Sequence, residues 1–182
     1  TQMNMESAVF IILRTLHDIL PRTLATAFYT YHNDEWQRAK VYTQQQASTL
    51  NTFWKSGKIG DDETAFLQSC RRDRMPIIVS DRHGKSMPFW EQARQAGVRQ
   101  LFYMPLALPT GELFGVIGIM TTDKRHVSTQ RSALIQALLQ EGAAAMSRIR
   151  LYEQSRREER QMRAMLESSQ DGIFLIGNDR RV

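Results

Sequence analysis

The stretch G-V-R-Q-L-F-Y-M-P-L, residues 97–106, is followed closely by G-E-L-F-G-V-I-G-I-M, residues 111–120, and these two stretches decide the fold. Both are rich in the apolar, aromatic and β-branched residues that strands favour. The tripeptide P-T-G, residues 109–111, has the composition of a tight turn. The pattern therefore predicts a hairpin of two long strands, 98–108 and 112–122.

The second of these strands contains Gly115 and Gly118, which indicates that another group packs very close to it. Outside the hairpin, apolar residues at helical spacing predict helices, and short runs rich in Thr, Val and aromatic residues predict strands. The predicted helices are 3–20, 47–55, 61–74, 86–97 and 128–167, and the other predicted strands are 24–31, 36–43, 77–80 and 173–176. This order predicts an α+β fold with a central antiparallel sheet sandwiched between helices.

The last long helix, 128–167, is longer than the domain that it belongs to. It spans about 60 Å, whereas a compact body of the preceding residues is only about 36 Å across. The helix must therefore leave the domain, as a lone stalk or paired with a second chain.

Apolar residues on two helices predict a homodimer. An approximate heptad seam runs along the long helix, and the first helix adds an apolar stripe wider than a one-sided surface helix needs. The predicted interface residues are Val9, Ile12, Leu16, Ile135, Leu138, Ala145, Ile149 and Tyr152. After Tyr152 the seam becomes charged, and we expect a break in phase before Met162, Met165 and Leu166 resume it.

Composition excludes several classes of protein. The chain has 182 residues, a net charge of +5 and 42% apolar residues, which excludes a wholly disordered chain. No apolar run approaches the ~20 residues of a membrane span, so we expect no membrane insertion. A single cysteine excludes an internal disulfide and favours a reducing, cytoplasmic location. Pairs such as Glu153 with Arg157 predict a solvated, ion-paired stalk rather than a nucleic-acid-binding helix.

In their order, these motifs resemble a GAF domain over about residues 3–152. GAF domains carry a glycine-led strand ending in V-P-L and then a second strand of the type G-x-hydrophobic-x-G-V, which 97–106 and 111–120 match approximately. Residues 76–81, P-I-I-V-S-D, are similar to the family's short strand before the ligand loop. Residues 165–182 resemble the opening of a PAS domain. We therefore predict a GAF-like sensor at 3–152, a signalling-helix linker at 153–167 and a truncated PAS-like start at 168–182, with helix 128–152 shared with the stalk.

The resemblance implies a sensory relay. GAF domains sense small molecules or dimerise in histidine kinases, cyclic-dinucleotide enzymes and transcription regulators. The segment itself is then not an enzyme, and its helix signals to an output domain, which would be a histidine kinase or a diguanylate cyclase or phosphodiesterase. Two alternatives stay open: a ligand-free structural dimerisation module, and the effector domain of a transcription regulator.

The loop after the short strand and the next helix provide the candidate ligand site. Aromatic walls with a few polar groups suit a small organic molecule held without a covalent bond. The predicted ligand-binding residues are Ser80, Asp81, Arg82, His83, Phe89, Trp90 and Tyr103. Alternatively, the aromatic side chains fill this space themselves and the domain only dimerises.

The sequence lacks the residues that several other kinds of functional site require. Phosphate-loop and G-x-S-x-G motifs are absent from the sequence, and the four histidines have no metal-ligand spacing. Cys70 lies near three arginines that could activate it, but its spacing from Phe66 favours a buried core thiol. Phytochrome-like GAF domains attach bilin through a cysteine shortly before the position of Gly97, where this chain has F-W-E-Q, residues 89–92. We therefore predict no metal, no covalent bilin and no resident cofactor. The N-K-x-F-D type motif of cyclic-nucleotide-binding GAF domains is also absent.

Overall fold

A computed structural model of the chain describes residues 4–20, 22–43, 59–80, 87–108, 110–123 and 129–168. The predicted helix 47–55, the predicted strand 173–176 and the PAS-like stretch after Ser168 lie outside the described residues.

Nine elements make up the described part of the chain. The helices are α1 (Met5–Ile19), α2 (Asp61–Asp73), α3 (Pro88–Gln95) and α4 (Thr129–Ser168), and the strands are β1 (Thr23–His32), β2 (Glu35–Tyr42), β3 (Ile77–Ser80), β4 (Gln100–Ala107) and β5 (Leu113–Thr121). The strands form one antiparallel sheet in the order β2-β1-β5-β4-β3. The predicted α+β class and the predicted β4–β5 hairpin are confirmed.

Local sequence explains where the helices begin and end. The Asn4 side chain caps α1 by accepting a hydrogen bond from the Ser7 N–H at 2.8 Å. At the end of α2, Arg74 takes a left-handed conformation, and its N–H donates to the Cys70 carbonyl. Helix α3 has Pro88 in its first turn, and Gly97 has a positive φ of 89° just beyond its end. These local interactions fix where each helix begins or ends.

Alternation along the strands gives the sheet two different faces. One face, here called the stalk face, carries Phe28, Phe102, Ile117 and Ile119 and packs against α1 and α4. The opposite face, here called the network face, packs against α2 and α3; its sheet residues include Tyr29, Tyr103, Val116 and Met120.

Helices α1 and α4 lie side by side on the stalk face. They approach each other closely at Gly142, where an added methyl group would lie 2.5 Å from Cδ1 of Ile12. The domain-facing stripe of α4 consists of Ile135, Leu139, Ala143 and Met146, all buried. Helix α4 is therefore part of the domain core over its first half.

The residues predicted for a dimer interface differ in burial within one chain. Val9, Ile12, Leu16 and Ile135 are at most 5% exposed, because they form the contact between α1, α4 and the sheet. Leu138 and Ile149 are partly buried against the same core, whereas Ala145 is half-buried and Tyr152 is 50% exposed. For all eight residues the interface stays a prediction.

The predicted long C-terminal helix is confirmed, with 40 residues in α4. Its contact with the domain ends near Arg150, which forms an ion pair with Glu112 and lies 5.7 Å from the centre of the Phe114 ring. All side chains from 151 to 167 are exposed. The second half of α4 therefore projects beyond the domain.

Candidate functional site

A buried carboxylate stands at the centre of the network face. Glu63 lies in the first turn of α2 and has no exposed surface. Its Oε1 accepts hydrogen bonds from the hydroxyls of Tyr29 at 2.6 Å and Tyr103 at 3.3 Å. Its Oε2 accepts one from Nη2 of Arg38 at 2.8 Å, in an ion pair whose two side chains are at most 4% exposed. These four residues form a polar network inside an otherwise apolar layer.

An irregularity in the sheet brings Arg38 into this network. Phe28 pairs with Lys40 and Tyr29 pairs with Arg38, so Ala39 is an extra residue in β2. A bulge of this kind re-aims the side chains of its strand. It places Arg38 directly across from Tyr29, with the guanidinium carbon 5.4 Å from the centre of the tyrosine ring.

Gly118 provides the space that the two tyrosines need. Tyr103 pairs with Gly118 across β4 and β5, and Tyr29 comes from the other neighbouring strand. An added methyl group at Gly118 would lie 2.9 Å from the Tyr29 ring and 3.6 Å from the Tyr103 ring. The prediction of a close approach at this glycine is confirmed, and the approaching group is an aromatic pair whose ring centres are 6.0 Å apart.

Burial dominates the electrostatics of the network. It raises the pKa of Glu63, and the nearby Arg38 and the donated hydrogen bonds oppose this only in part. Burial and the Glu63 charge together raise the pKa of both Tyr29 and Tyr103 well above the usual tyrosine value. The two phenols therefore stay protonated as donors at neutral pH. The arrangement fixes the start of α2 to three strands at once.

The predicted ligand-binding residues occupy several different settings. Trp90 and Tyr103 are fully buried and Phe89 is 7% exposed, so all three pack into the core of the network face. Ser80 is half-buried at the end of β3, where it pairs with Gln100 of β4. Asp81, Arg82 and His83 lie outside the described residues. The structure brings Phe89, Trp90 and Tyr103 together in one cluster, and a ligand-binding role for the set stays a prediction.

Two buried indole groups on this face have an unused donor. Nε1 of Trp36 and Nε1 of Trp90 are inaccessible to solvent and have no hydrogen-bond partner within the described part of the chain. Both residues belong to the core cluster of the network face. A buried donor without an acceptor destabilises the fold by about 1–3 kcal/mol.

Cys70 has the character of a core thiol. It is fully buried, and its Sγ lies 3.7 Å from the Tyr103 carbonyl oxygen. Burial raises the pKa of the thiol to about 12, although the Arg74 charge acts in the opposite direction. Cys70 is therefore protonated at neutral pH, as expected of a core thiol.

Within the described ranges, no three His, Cys, Asp or Glu side chains are grouped closely enough to hold a metal ion. None of the helices described combines the length and apolarity that a bilayer crossing needs.

Sequence reasoning missed three of the four network residues. Glu63 looked like a charge that favours the first turn of a helix, and Tyr29 looked like an ordinary strand residue. The role of Arg38 could not be predicted from the sequence, because the direction of its side chain depends on a bulge in β2. Gly118 gave the one usable signal, since it indicated that a large group lies against β5.

No protein-family model matches the chain, and no curated protein sequence is significantly similar to it. Solved structures do match. The GAF domain/HD domain protein of Geobacter sulfurreducens superimposes with a TM-score of 0.63 at 19% identity, covering 84% of this chain and 98% of that one. The GAF domain of a two-component sensor histidine kinase from Bacillus halodurans gives 0.63 at 16% identity, with 84% and 99% covered.

A third similar structure is the photoproduct state of GAF3 from a Synechocystis protein, with a TM-score of 0.66 at 13% identity and 83% and 98% of the two chains covered. The described chain therefore has the fold of GAF domains, with the sheet and helices in the same arrangement.

Proposed function

We propose that this chain is a sensory or regulatory GAF module of a larger signalling protein, and that α4 carries its state to an output domain. One observation supports this most directly. Ile135, Leu139 and Met146 of α4 are built into the domain core, while the same helix continues well beyond the last contact with the domain. A structural change in the core could therefore be transmitted beyond the domain along α4.

The sheet links the two ends of this relay. Tyr29 of the network lies beside Phe28, which packs on the stalk face, and Tyr103 lies beside Phe102 in the same way. A rearrangement around Glu63 shifts these strands, and the strand residues that touch α1 and α4 shift with them. Packed cores change between discrete arrangements rather than deforming smoothly.

The proposed ligand is a small organic molecule held without a covalent bond on the network face. The unused indole donors of Trp36 and Trp90 suit a ligand with a carbonyl or carboxylate acceptor. Ser80, Asp81, Arg82 and His83 are proposed to complete the site from the loop after β3. The chain itself then needs no catalytic activity or resident cofactor.

The module is proposed to act as a cytoplasmic homodimer. Its output domain is proposed to be a histidine kinase, or a diguanylate cyclase or phosphodiesterase. Similarity to a GAF domain of a two-component sensor histidine kinase is consistent with the first choice. The PAS-like resemblance of residues after Ser168 supports a further signalling domain.

A second candidate function is a ligand-free dimerisation module. The complete burial of Trp90 and Tyr103 favours it, because these rings already fill the space between the sheet and α3. The two candidates differ in whether anything other than protein binds on the network face.

Native mass spectrometry of the purified chain, compared with its mass after denaturation, separates the candidates. We expect a dimer that carries extra mass, and a Trp90→Phe variant, which loses only the indole donor and part of the ring, should retain less of it. A dimer without extra mass, and without thermal stabilisation by any small carboxylate or carbonyl compound tested, would favour the dimerisation module. A monomer would contradict both candidates.

A further inference from the structure

We infer that the stalk face carries a ligand site of its own, which binds a small organic anion with an elongated apolar body, such as a medium-chain carboxylate. The site is a cleft between the first half of α4 and the second half of β4. This inference goes beyond the proposed function, which places its ligand on the network face.

An open cleft of about 460 Å³ lies where α4 meets the β3 edge of the sheet. Its walls come mainly from three parts of the chain: residues 74–76 between α2 and β3, residues 104–108 at the end of β4, and Gln136, Leu139 and Gln140 of α4. Sites for small organic molecules commonly have volumes of about 300–1,000 Å³. The cleft is therefore large enough for a ligand of this class.

The cleft is open because β3 covers only half of β4. The pairing of the two strands runs from Ser80 opposite Gln100 to Ile77 opposite Tyr103 and ends there. Strand β4 continues to Ala107, and among the described strands only β5 pairs with this second half. The cleft follows the unpaired side of β4, which suits an elongated occupant.

Two prolines disfavour a peptide strand as that occupant. Pro105 lies in the unpaired half of β4, and Pro76 directly precedes β3. Neither residue has a backbone N–H, so this edge lacks two of the donors that an added strand would use. A small molecule does not depend on a ladder of main-chain hydrogen bonds, and the edge therefore favours one.

Apolar side chains provide the surface for the body of the ligand. Met104 and Leu139 line the inner part of the cleft and belong to the core of the stalk face. Met75 borders the cleft with 64% of its surface exposed. Methionine side chains adapt to neighbours of different shape, so two of them beside a leucine suit a flexible alkyl chain.

Arg74 provides the charge that selects an anion. Among the described residues, nothing forms a salt bridge or hydrogen bond with its guanidinium, whereas Arg72 is paired with Asp73 at 2.8 Å. Arg74 also has a positive φ of 55°, in the position after a helix where glycine is the usual residue. The chain therefore keeps an arginine at the cleft although glycine would fit the backbone better.

The polar side of α4 complements this charge. Gln136 and Gln140 lie one helical turn apart, are exposed and line the cleft, so their amide groups can donate hydrogen bonds. No acidic side chain is among the described residues that line the cleft. A guanidinium with amide donors and no opposing carboxylate favours a carboxylate ligand.

A ligand in this cleft would contact α4 directly. Leu139 is both a wall of the cleft and a member of the core between α4 and the sheet. A ligand on the network face, in contrast, could reach α4 only through the strands. The two sites are therefore distinguishable by which side chains sense the bound molecule.

Methyl NMR of the chain labelled with ¹³C-methyl methionine tests the site, with octanoate as the probe. We expect saturable shifts of the Met75 and Met104 signals, which single Met→Leu substitutions assign. Met120, in the core of the network face, and Met162, on the projecting part of α4, are the controls and should not shift. Acetate and 1-octanol, which each carry half of the chemistry, should bind at least about tenfold more weakly.

Arg74→Gln tests the charge. Loss of a hydrogen bond to a charged group should weaken octanoate binding about tenfold. Arg99→Gln is the matched control, because it removes the same charge from an exposed residue at the opposite end of β4 and should leave the affinity unchanged. Thermal unfolding checks that both variants remain folded.

Selective shifts of Met75 and Met104, with weaker binding only in Arg74→Gln, support the inference. Equal affinity of the two arginine variants, or equal binding of 1-octanol, overturns the recognition of an anion and with it the inference. A shift of Met120 alone overturns the stalk-face site but leaves the proposed function standing.

Shifts at every methionine, or at none, also overturn the inference. Shifts of Met75 and Met104 when the free protein is diluted would mean that a second copy occupies the cleft, which overturns the small-molecule site. None of these results bears on whether a ligand binds on the network face, so failure of this inference and failure of the proposed function remain separate.

Discussion

The two faces of the sheet are built from the same strands and yet differ in kind. The network face buries a carboxylate, a guanidinium and two phenols, together with two indole donors that lack partners within the described chain. The core of the stalk face is apolar, and its fully buried hydroxyl, Thr26, donates to the Leu13 carbonyl at 3.0 Å. The network face therefore contains a buried ion pair with two phenols, whereas close-packed apolar side chains predominate in the core of the stalk face.

Under the proposed function, the two halves of the domain would have separate tasks. Groups whose charge and hydrogen bonding can change would receive a signal, and close-packed apolar groups would transmit it. The two tasks are only a residue apart, because neighbours along a strand point to opposite faces. Phe28 and Tyr29 are such a pair, and so are Ile117 and Gly118.

The largest loss of stability is expected for a substitution in the network face. Glu63→Ala leaves Arg38 buried without its counter-charge, and removing one partner of a buried ion pair destabilises a protein by about 3–5 kcal/mol. Chemical denaturation of the variant measures this loss.

The control for this variant is Glu63→Gln, which keeps an acceptor for the tyrosine hydroxyls and should lose less. If Glu63→Ala unfolds at the same midpoint as the unmodified chain, the ion pair contributes nothing and the two faces do not differ in the way described.

The next largest loss of stability is expected for a substitution in the stalk face. Met146→Ala opens a cavity beneath α4, and truncations of this kind cost about 2–5 kcal/mol. Because the methionine side chain has no titratable group, the loss should be nearly the same at pH 6 and pH 9, as denaturation at both values will measure. Met75→Ala, at a residue that is 64% exposed, is the control and should change the midpoint little.

A smaller effect sharpens the comparison at the sheet itself. Gly118→Ala pushes a methyl group against the Tyr29 ring, and overpacking of this kind costs about 1–3 kcal/mol. Thermal unfolding measures the loss. An unchanged melting temperature would mean that the tyrosine ring moves aside freely, so that the network is not tightly held.

The stability of the protein at alkaline pH tests the network face through its two buried tyrosines. The pKa of Tyr29 and of Tyr103 is raised in the folded state, so folding holds these protons more tightly than the unfolded chain does. Their contribution is therefore complete below about pH 10, the usual tyrosine pKa, and is lost progressively above it. Urea midpoints between pH 9 and 11 should fall less steeply in Tyr29→Phe, and Tyr152→Phe is the exposed control.

The smallest effect concerns reactivity rather than stability. Burial raises the pKa of Cys70 to about 12, so the folded protein should resist alkylation at pH 8 and react only after denaturation. Mass spectrometry of the labelled protein follows the reaction. Rapid labelling of folded protein would show that α2 opens away from the sheet.

Much of the fold could be predicted from local patterns. The β4–β5 hairpin follows from two apolar strands around a turn, and α4 follows from an uninterrupted helical period. These features depend on residues close together in sequence, where periodicity and turn chemistry act directly.

The site could not be predicted in this way. Glu63, Arg38 and Tyr29 meet only because a bulge in β2 and the docking of α2 bring distant residues together. The interface on α4 cannot be assigned from the sequence for another reason. Apolar periodicity finds every buried stripe, but it does not distinguish one that faces its own domain, such as that of Ile135, from one that faces a partner.

Under the proposed function, the helix that leaves the domain would also work as a lever. Beyond Arg150, α4 continues for another 18 residues, a length of about 27 Å. A tilt of about 5° at its root moves its far end by roughly 2.4 Å over that length. Displacements of 1–2 Å between helices are large enough to switch packed interfaces. A repacking around Leu139 and Met146 too small to disturb the domain would therefore move the distal end of α4 by a distance of this order.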